Sequence, residues 1–205
     1  MSEQATLVGN YVRLEPLNLR HAEGLSNASA SDSVLYQWSP VPQGIAEAIQ
    51  YIQTAVDWRE AGTAEPYAII RKKDDMIIGC SRFFNIERWA WPPAHPRYER
   101  TFPDAAEIGY SWLSASAVRT GANTEAKLLL LTHAFEHWKT FRICFHSDMR
   151  NLRSRTAIER LGAKFEGELR AHRLATDLIP RNSARFSILD SEWAEVKQRL
   201  QSLLK

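Results

Sequence analysis

The feature that most constrains this chain is a strand signal that passes into a helix signal through a loop of small residues. "AAEIGYSWL" alternates as a strand over Ala106 to Leu113. "AVRTGANTEAKLLLLTHAF" then opens with Arg119, Thr120, Gly121, Ala122, Asn123 and Thr124 and becomes an amphipathic helix over Thr124 to Trp138. The first amides of a helix lack intrahelical partners and carry partial positive charge. Small side chains ahead of them let an anion such as a phosphate come close. Gly121 tolerates any backbone angle, Ala122 adds little bulk, and Arg119 adds charge. Two readings follow from the loop: an ordinary strand-to-helix connection, or a cradle for phosphate.

The rest of the chain supplies the setting. "YVRLEPL" reads as a strand that stops near Pro16, and helices follow over Arg20 to Ala30 and Ile45 to Glu60. "PYAIIRKKDDMIIGCSRFFNI" is a hairpin around "KKDD". "FRICFHSDM" is a strand, and "NLRSRTAIERLG" is a short helix with Asn151 as N-cap and Gly162 just past its end. "AKFEGELRAHRL" and "SARFSILD" are two more strands, and Ser191 to Leu204 is a last helix. This order predicts an α/β (α+β) fold, a mixed sheet with helices on both faces, as one domain over residues 1–205.

A chain of 205 residues with 44% apolar content can bury a full core. A formal net charge of +2 favours neither a nucleic-acid groove nor a polybasic membrane surface. No apolar run approaches the ~20 residues of a membrane span. "MSEQATLVGN" has neither a basic region nor an apolar run of signal-peptide type. Cys80 and Cys144 form no CxxC and no zinc spacing and sit in apolar runs, which suits a reducing compartment. The expectation is a cytoplasmic protein.

The order of elements resembles the GNAT acetyltransferase superfamily. Its fourth strand leads into a (Gln/Arg)-x-x-Gly-x-(Gly/Ala) loop that cradles the pyrophosphate of acetyl-CoA, and Val118 to Asn123 stands at that place. Gly121 matches, while Val118 and Asn123 depart from the usual first and last positions. "NLRSRTAIERLGAKFEGELR" resembles the Asn-x-x-Ser-x-x-x-Ile-Glu-x-Leu-Gly stretch of the RimJ/RimL-like branch, and "EIGYSWL", "TEA" and "FSILDSEW" look like the same branch. The resemblance implies a mostly antiparallel central sheet, acetyl-CoA as acetyl donor, no metal, and an amine acceptor that is a protein N-terminus or a small molecule. It also implies cofactor contacts from Arg119, Thr120, Gly121, Ala122, Asn123, Thr124, Asn151 and Arg153. A strand bulge would free the amide of Gly109 or Tyr110 to polarise the thioester carbonyl.

Direct attack by an amine in a ternary complex needs a base, since a lysine-type amine has a pKa near ~10. Glu107, on the strand beside the thioester, is the candidate; an ordinary strand carboxylate is the alternative. Ser154, third in its helix, is the candidate donor of a proton to the thiolate; a local capping serine is the alternative. Arg153 either reaches the phosphates or faces water. A non-catalytic acyl-CoA-binding module is the rival function.

Glu87 to Asp104 is a long loop with four prolines, carrying Trp89, Trp91, Tyr98 and Phe102. It is expected over the acceptor end of the cleft, with Trp89 and Trp91 walling the pocket, or else in a homodimer interface. "HAFEH" (His133 to His137) matches an inverted zinc-peptidase signature, with Glu192 and Glu195 formally available as further ligands. Two helix histidines are the simpler reading. Cys144 in "FRICFHS" reads as core rather than nucleophile.

Overall fold

Eight strands assemble into one sheet in the order β1-β2-β3-β4-β5-β6-β8-β7 in the computed structural model, which describes residues 4–30 and 33–205. The strands are β1 (Leu7–Val8), β2 (Val12–Pro16), β3 (Ala64–Arg71), β4 (Met76–Glu87), β5 (Ala105–Leu113), β6 (Arg142–Asp148), β7 (Lys164–Leu174) and β8 (Pro180–Leu189). The helices are α1 (Ala22–Ser29), α2 (Gly44–Glu60), α3 (Ala122–Thr132), α4 (Leu152–Leu161) and α5 (Trp193–Ser202). All neighbouring strands are antiparallel except β5 and β6, which run parallel. The mixed, mostly antiparallel sheet matches the order read from sequence. The short β1 adds an edge strand that two residues are too few to signal.

Period-two alternation assigns the two sheet faces to different helices. Phe83, Ile108, Ile143 and Phe186 face α3 and α5, where Leu130, Leu131 and Leu200 meet them. Ala68, Cys80 and Trp112 face α1 and α2, where Leu25, Ile52 and Ala55 meet them. Leu130 has no exposed surface, so Leu130→Ala costs about 2–5 kcal/mol in lost transfer energy and cavity.

Two helix readings change in detail. In α2, Ala48, Ile52 and Ala55 are buried, but Ile45 and Ile49 stay exposed because the apolar stripe is wider than the contact. The helix expected over Thr124 to Trp138 begins two residues earlier and switches to a π-helical stretch, His133–Trp138, which ends at Lys139 in the left-handed region (φ 56°). Thr140 closes that end, its hydroxyl and its amide both donating to Ala134 O. Among the described residues, no helix is long and apolar enough to cross a membrane.

Candidate active site

The sheet splits between β5 and β6. Their parallel pairing holds only for Ala105–Arg142, Ala106–Ile143 and Glu107–Cys144. Beyond those pairs β5 stays bonded to β4 as far as Leu113, and β6 stays bonded to β8 as far as Asp148. Each strand follows its own partner, and a wedge opens between them with Glu107 at its vertex.

A bulge lies one turn of pleat beyond the vertex. Arg82 pairs with Gly109 but Cys80 pairs with Trp112, so one residue of β5 is extra. Tyr110 takes up the distortion at φ 49°. Sequence reasoning placed a freed amide at Gly109 or Tyr110, and the irregularity falls there. Gly109 is a glycine for a packing reason: a Cβ would lie 2.7 Å from Cε1 of Phe84. The Phe84 ring in turn meets Tyr110 edge-on at 5.1 Å.

The loop after β5 supplies a helix N-terminus on the α3 face. The strained residue is Arg119 (φ 61°), while Gly121 sits at φ −66° as the N-cap of α3. The freedom expected of Gly121 is therefore not used. What its missing side chain provides is room, since a Cβ would come within 3.3 Å of Leu204 Cδ2. Thr120 braces the turn, donating to Ala117 O at 2.7 Å and accepting from Ala122 N at 3.2 Å. Ala122, Asn123 and Thr124 form the first turn, whose amides geometry leaves without helical acceptors. Thr124 is buried, and its hydroxyl accepts from Arg160 at 3.1 Å. Arg160, unremarked in the sequence, is thus the α4 guanidinium that reaches this loop. Arg153, which the sequence leaves between the phosphates and solvent, donates to Leu35 O.

Asn151 caps α4 as expected, its Oδ1 accepting from Ser154 N at 3.0 Å. Ser154 is half-buried in the first turn of that helix. Glu107 is buried and held by three partners. Asn85 Nδ2 (2.9 Å) and an Arg173 Nη (3.0 Å) donate to Oε2, and His146 Nδ1 lies 2.9 Å from Oε1. The His146 contact is close but poorly aligned, and neither ring nitrogen has a hydrogen bond. Burial pushes the Glu107 carboxyl up, but His146, Arg173 and Asn85 outweigh it and hold the pKa below the usual carboxylate range. His172 packs beside His146 at 4.9 Å, and its own pKa is lowered by burial and by Arg173. His146 shares its strand face with Cys144, so alternation could have flagged it. Asn85 and Arg173 arrive by long-range pairing, which no local pattern encodes.

A segment between α1 and α2 crosses the mouth of the wedge. On the β5 side Tyr36 donates to Leu113 O at 3.0 Å and packs on Trp112. On the β6 side Leu35 O accepts from Arg153, Gln37 O accepts from Thr176, and Trp38 lies under Arg150 at 4.3 Å. Trp89 and Trp91 are not at that mouth. They gather around Phe141 at the N-terminal ends of β5 and β6, Trp89 stacked on it at 5.3 Å. Asp104 pins them there, accepting from Trp89 N (2.8 Å), Trp91 Nε1 (3.1 Å) and Arg97 (3.1 Å). The loop folds back because a buried carboxylate gathers its donors, a long-range effect invisible in composition.

The two histidines of "HAFEH" stack at 4.9 Å on the π-helical stretch, and burial pushes the His133 pKa down to about 4. Among the described residues, no group of three His, Cys, Asp or Glu side chains is placed to hold a metal ion. Cys144 is buried, with Arg142 Nε 3.3 Å from its sulfur.

Comparison with known proteins agrees with this architecture. No curated protein sequence matches the chain. A GCN5-related N-acetyltransferase from Brucella melitensis superposes with a TM-score of 0.82 at 30% identity, covering 99% of this chain and 86% of that one. RimJ from Mycobacterium smegmatis, in complex with CoA-disulfide, has a TM-score of 0.76 at 22% identity over 94% of this chain and 88% of its own. A ribosomal-protein-S5-alanine acetyltransferase from Vibrio fischeri has a TM-score of 0.71 at 17% identity over 93% and 99%, a likeness of fold alone. The likeness to RimJ, too, is one of fold alone. The profile of the acetyltransferase (GNAT) domain matches residues 12–164, and the chain belongs to that family.

Proposed function

We propose that this single-domain protein is a cytoplasmic N-acetyltransferase that moves an acetyl group from acetyl-CoA to a primary amine, on a protein N-terminus or a small molecule, by direct attack in a ternary complex. The observation that carries the reading is the wedge between β5 and β6, with the Tyr110 bulge and the buried Glu107 at its closed end. The N-terminus of α3, with Arg119 to Thr124 and Arg160 behind it, offers amides and positive charge to a pyrophosphate. Asn151 and the amides of Gly109 and Tyr110 flank the path of the thioester arm.

The amine nitrogen bonds to the acetyl carbon, the carbon–sulfur bond breaks, and a proton leaves the nitrogen as another reaches the sulfur. Glu107 is ionised with Oε2 taken by Asn85 and Arg173, so a water at its edge is the proton's route, with the carboxylate stabilising the charge that forms. Ser154, at the start of α4, supplies the proton to the thiolate. The RimJ neighbour's bound CoA-disulfide supports a coenzyme A ligand in this fold.

The test is thermal and kinetic. Acetyl-CoA at 100 times its Kd stabilises by about 2.7 kcal/mol through mass action, so the melting temperature rises. Gly121→Val, which drives a branched side chain toward Leu204 and the phosphate path, removes that rise. Turnover against peptides, polyamines and aminoglycosides then identifies the acceptor. A wild type unshifted at millimolar acetyl-CoA defeats the proposal, and a shifted one inert to every amine returns the chain to the acyl-CoA-binding rival.

A further inference from the structure

Among the described residues, Arg82 is a buried cation with no anion paired to it. Its side chain is among the largest fully buried ones, on the face of β4 opposite α3. Three rings surround the guanidinium: Tyr110 at 4.3 Å, Tyr51 at 4.7 Å and Trp58 at 5.3 Å. Nε and Nη2 have no hydrogen-bond partner. The Tyr51 hydroxyl, 3.1 Å from Cys80 Sγ, is the neutral polar group beside the guanidinium.

Ring faces attract a cation but give its N–H groups no good acceptor. A guanidinium so placed bears most of its desolvation cost uncompensated, and a carboxylate is the group whose two oxygens match its fork. Glu107, on the same face two residues along β5 from Gly109, is already taken by Asn85, Arg173 and His146.

Position narrows the source of the missing anion. Arg82 faces Gly109 across the β4–β5 ladder, beside the bulge where the acyl carbon is to be attacked. The phosphate-binding helix terminus belongs to α3, which packs on the other face of the sheet. Phosphates held there do not reach Arg82, whereas an amine arriving at the bulge from the α2 side passes it. Tyr51 and Trp58 come from α2 and are only half-buried, so they separate Arg82 from solvent on that side.

We propose that Arg82 is the acceptor-specificity residue and binds a carboxylate carried by the acceptor amine, from an amino acid or from an acidic residue next to a peptide N-terminus. This inference rests on the acetyltransferase reading and adds the substrate class to it.

The experiment compares acceptors with and without a carboxylate: lysine with cadaverine, phenylalanine with phenethylamine, and Ala-Glu-amide with Ala-Gln-amide. The amino-acid pairs and the peptide pair separate the two sources. The expected result is a kcat/KM preference of at least about 10²-fold for the carboxylate-bearing partner of one pair type. Arg82→Gln erases that preference with acetyl-CoA affinity unchanged, and Arg82→Lys retains part of it. Equal kcat/KM within every pair, or a preference that survives Arg82→Gln, overturns the inference. Should Arg82→Gln fail to fold, the wild-type comparison and Arg82→Lys decide. Binding is read separately from the Trp58 fluorescence change on titration with lysine and with cadaverine, with Trp58→Phe as the control. A wild type with no preference in either turnover or binding refutes the carboxylate site. A missing acetyl-CoA thermal shift refutes the acetyltransferase reading instead, and the fluorescence titration still decides Arg82.

Discussion

Oε1 of Glu107 lies 2.9 Å from Nδ1 of His146 at the point where β5 and β6 part company. The contact bridges the vertex of the wedge, and Arg173 and Asn85 complete it from β7 and β4. The vertex is therefore both a site and a structural joint, and its carboxylate has consequences for stability as well as for turnover.

The Glu107 pKa is depressed in the folded protein, so its contribution is full above the unfolded value of about 4.3 and is lost as pH falls through the folded value. Wild type should lose melting temperature between about pH 5 and pH 3 more steeply than Glu107→Gln. At neutral pH the variant should be about 1–3 kcal/mol less stable, toward the low end because Arg173 is 30% exposed. Equal acid slopes in urea titrations of the two proteins would show that the cluster does not act as a unit. Activity should fall by about 10²-fold or more, with acetyl-CoA affinity unchanged.

Lys127 predicts a dependence of the same sign in an alkaline window. Its ammonium nitrogen is buried between the Ser81 hydroxyl (3.0 Å) and the Ser111 hydroxyl, and burial lowers its pKa to about 7. Between that value and the ordinary lysine value of about 10.4 the unfolded chain binds the extra proton. Stability therefore rises with pH across this window. Lys127→Met keeps the volume and leaves the 2.7 Å Ser81–Ser111 contact, so its stability should be flatter from pH 7 to pH 10. A variant that tracks wild type over that range would mean Lys127 folds charged.

Glu125 predicts a coupling. Its carboxylate accepts from the amides of Asn10, Tyr11 and Val12, each at 2.7 Å, and so ties the β1–β2 turn to α3. A Cβ on Gly9 would lie 2.4 Å from Glu125 Cδ. Glu125→Ala should cost about 1–3 kcal/mol by orphaning the amides. Gly9→Ala should also destabilise, but far less once Glu125 is already alanine. A double-mutant cycle with additive terms would show the two not to be in contact.

The proline-rich loop gives a fourth test. Asp104→Asn weakens the anchor of Trp89, Trp91 and Arg97 and should speed proteolysis between residues 88 and 103. Trp89→Ala with Trp91→Ala should do the same while leaving the acceptor KM within about twofold and the solution mass unchanged. A raised KM would restore these tryptophans to the acceptor pocket, and a change of mass would place them in an interface.

Local chemistry in the sequence determined the element order, the helix N-terminus after β5 and the Asn151 cap, while the place of the β5 irregularity came from the resemblance. The first three are set by periodicity and by side chains acting on their own backbone, so a short window contains the whole cause. It also determined the resemblance, since motifs on neighbouring elements fell in the right order. The tertiary structure decided what Glu107 is: a strand residue in sequence, it becomes a clamped anion only because β4, β6 and β7 deliver Asn85, His146 and Arg173 to one point. It likewise moved Trp89 and Trp91 behind the wedge, put residues 35–38 across its mouth, and buried Arg82 among Tyr51, Trp58 and Tyr110. Each of these depends on strand register and on segments far apart in the chain, where a one-residue slip would send the same side chains to the other face.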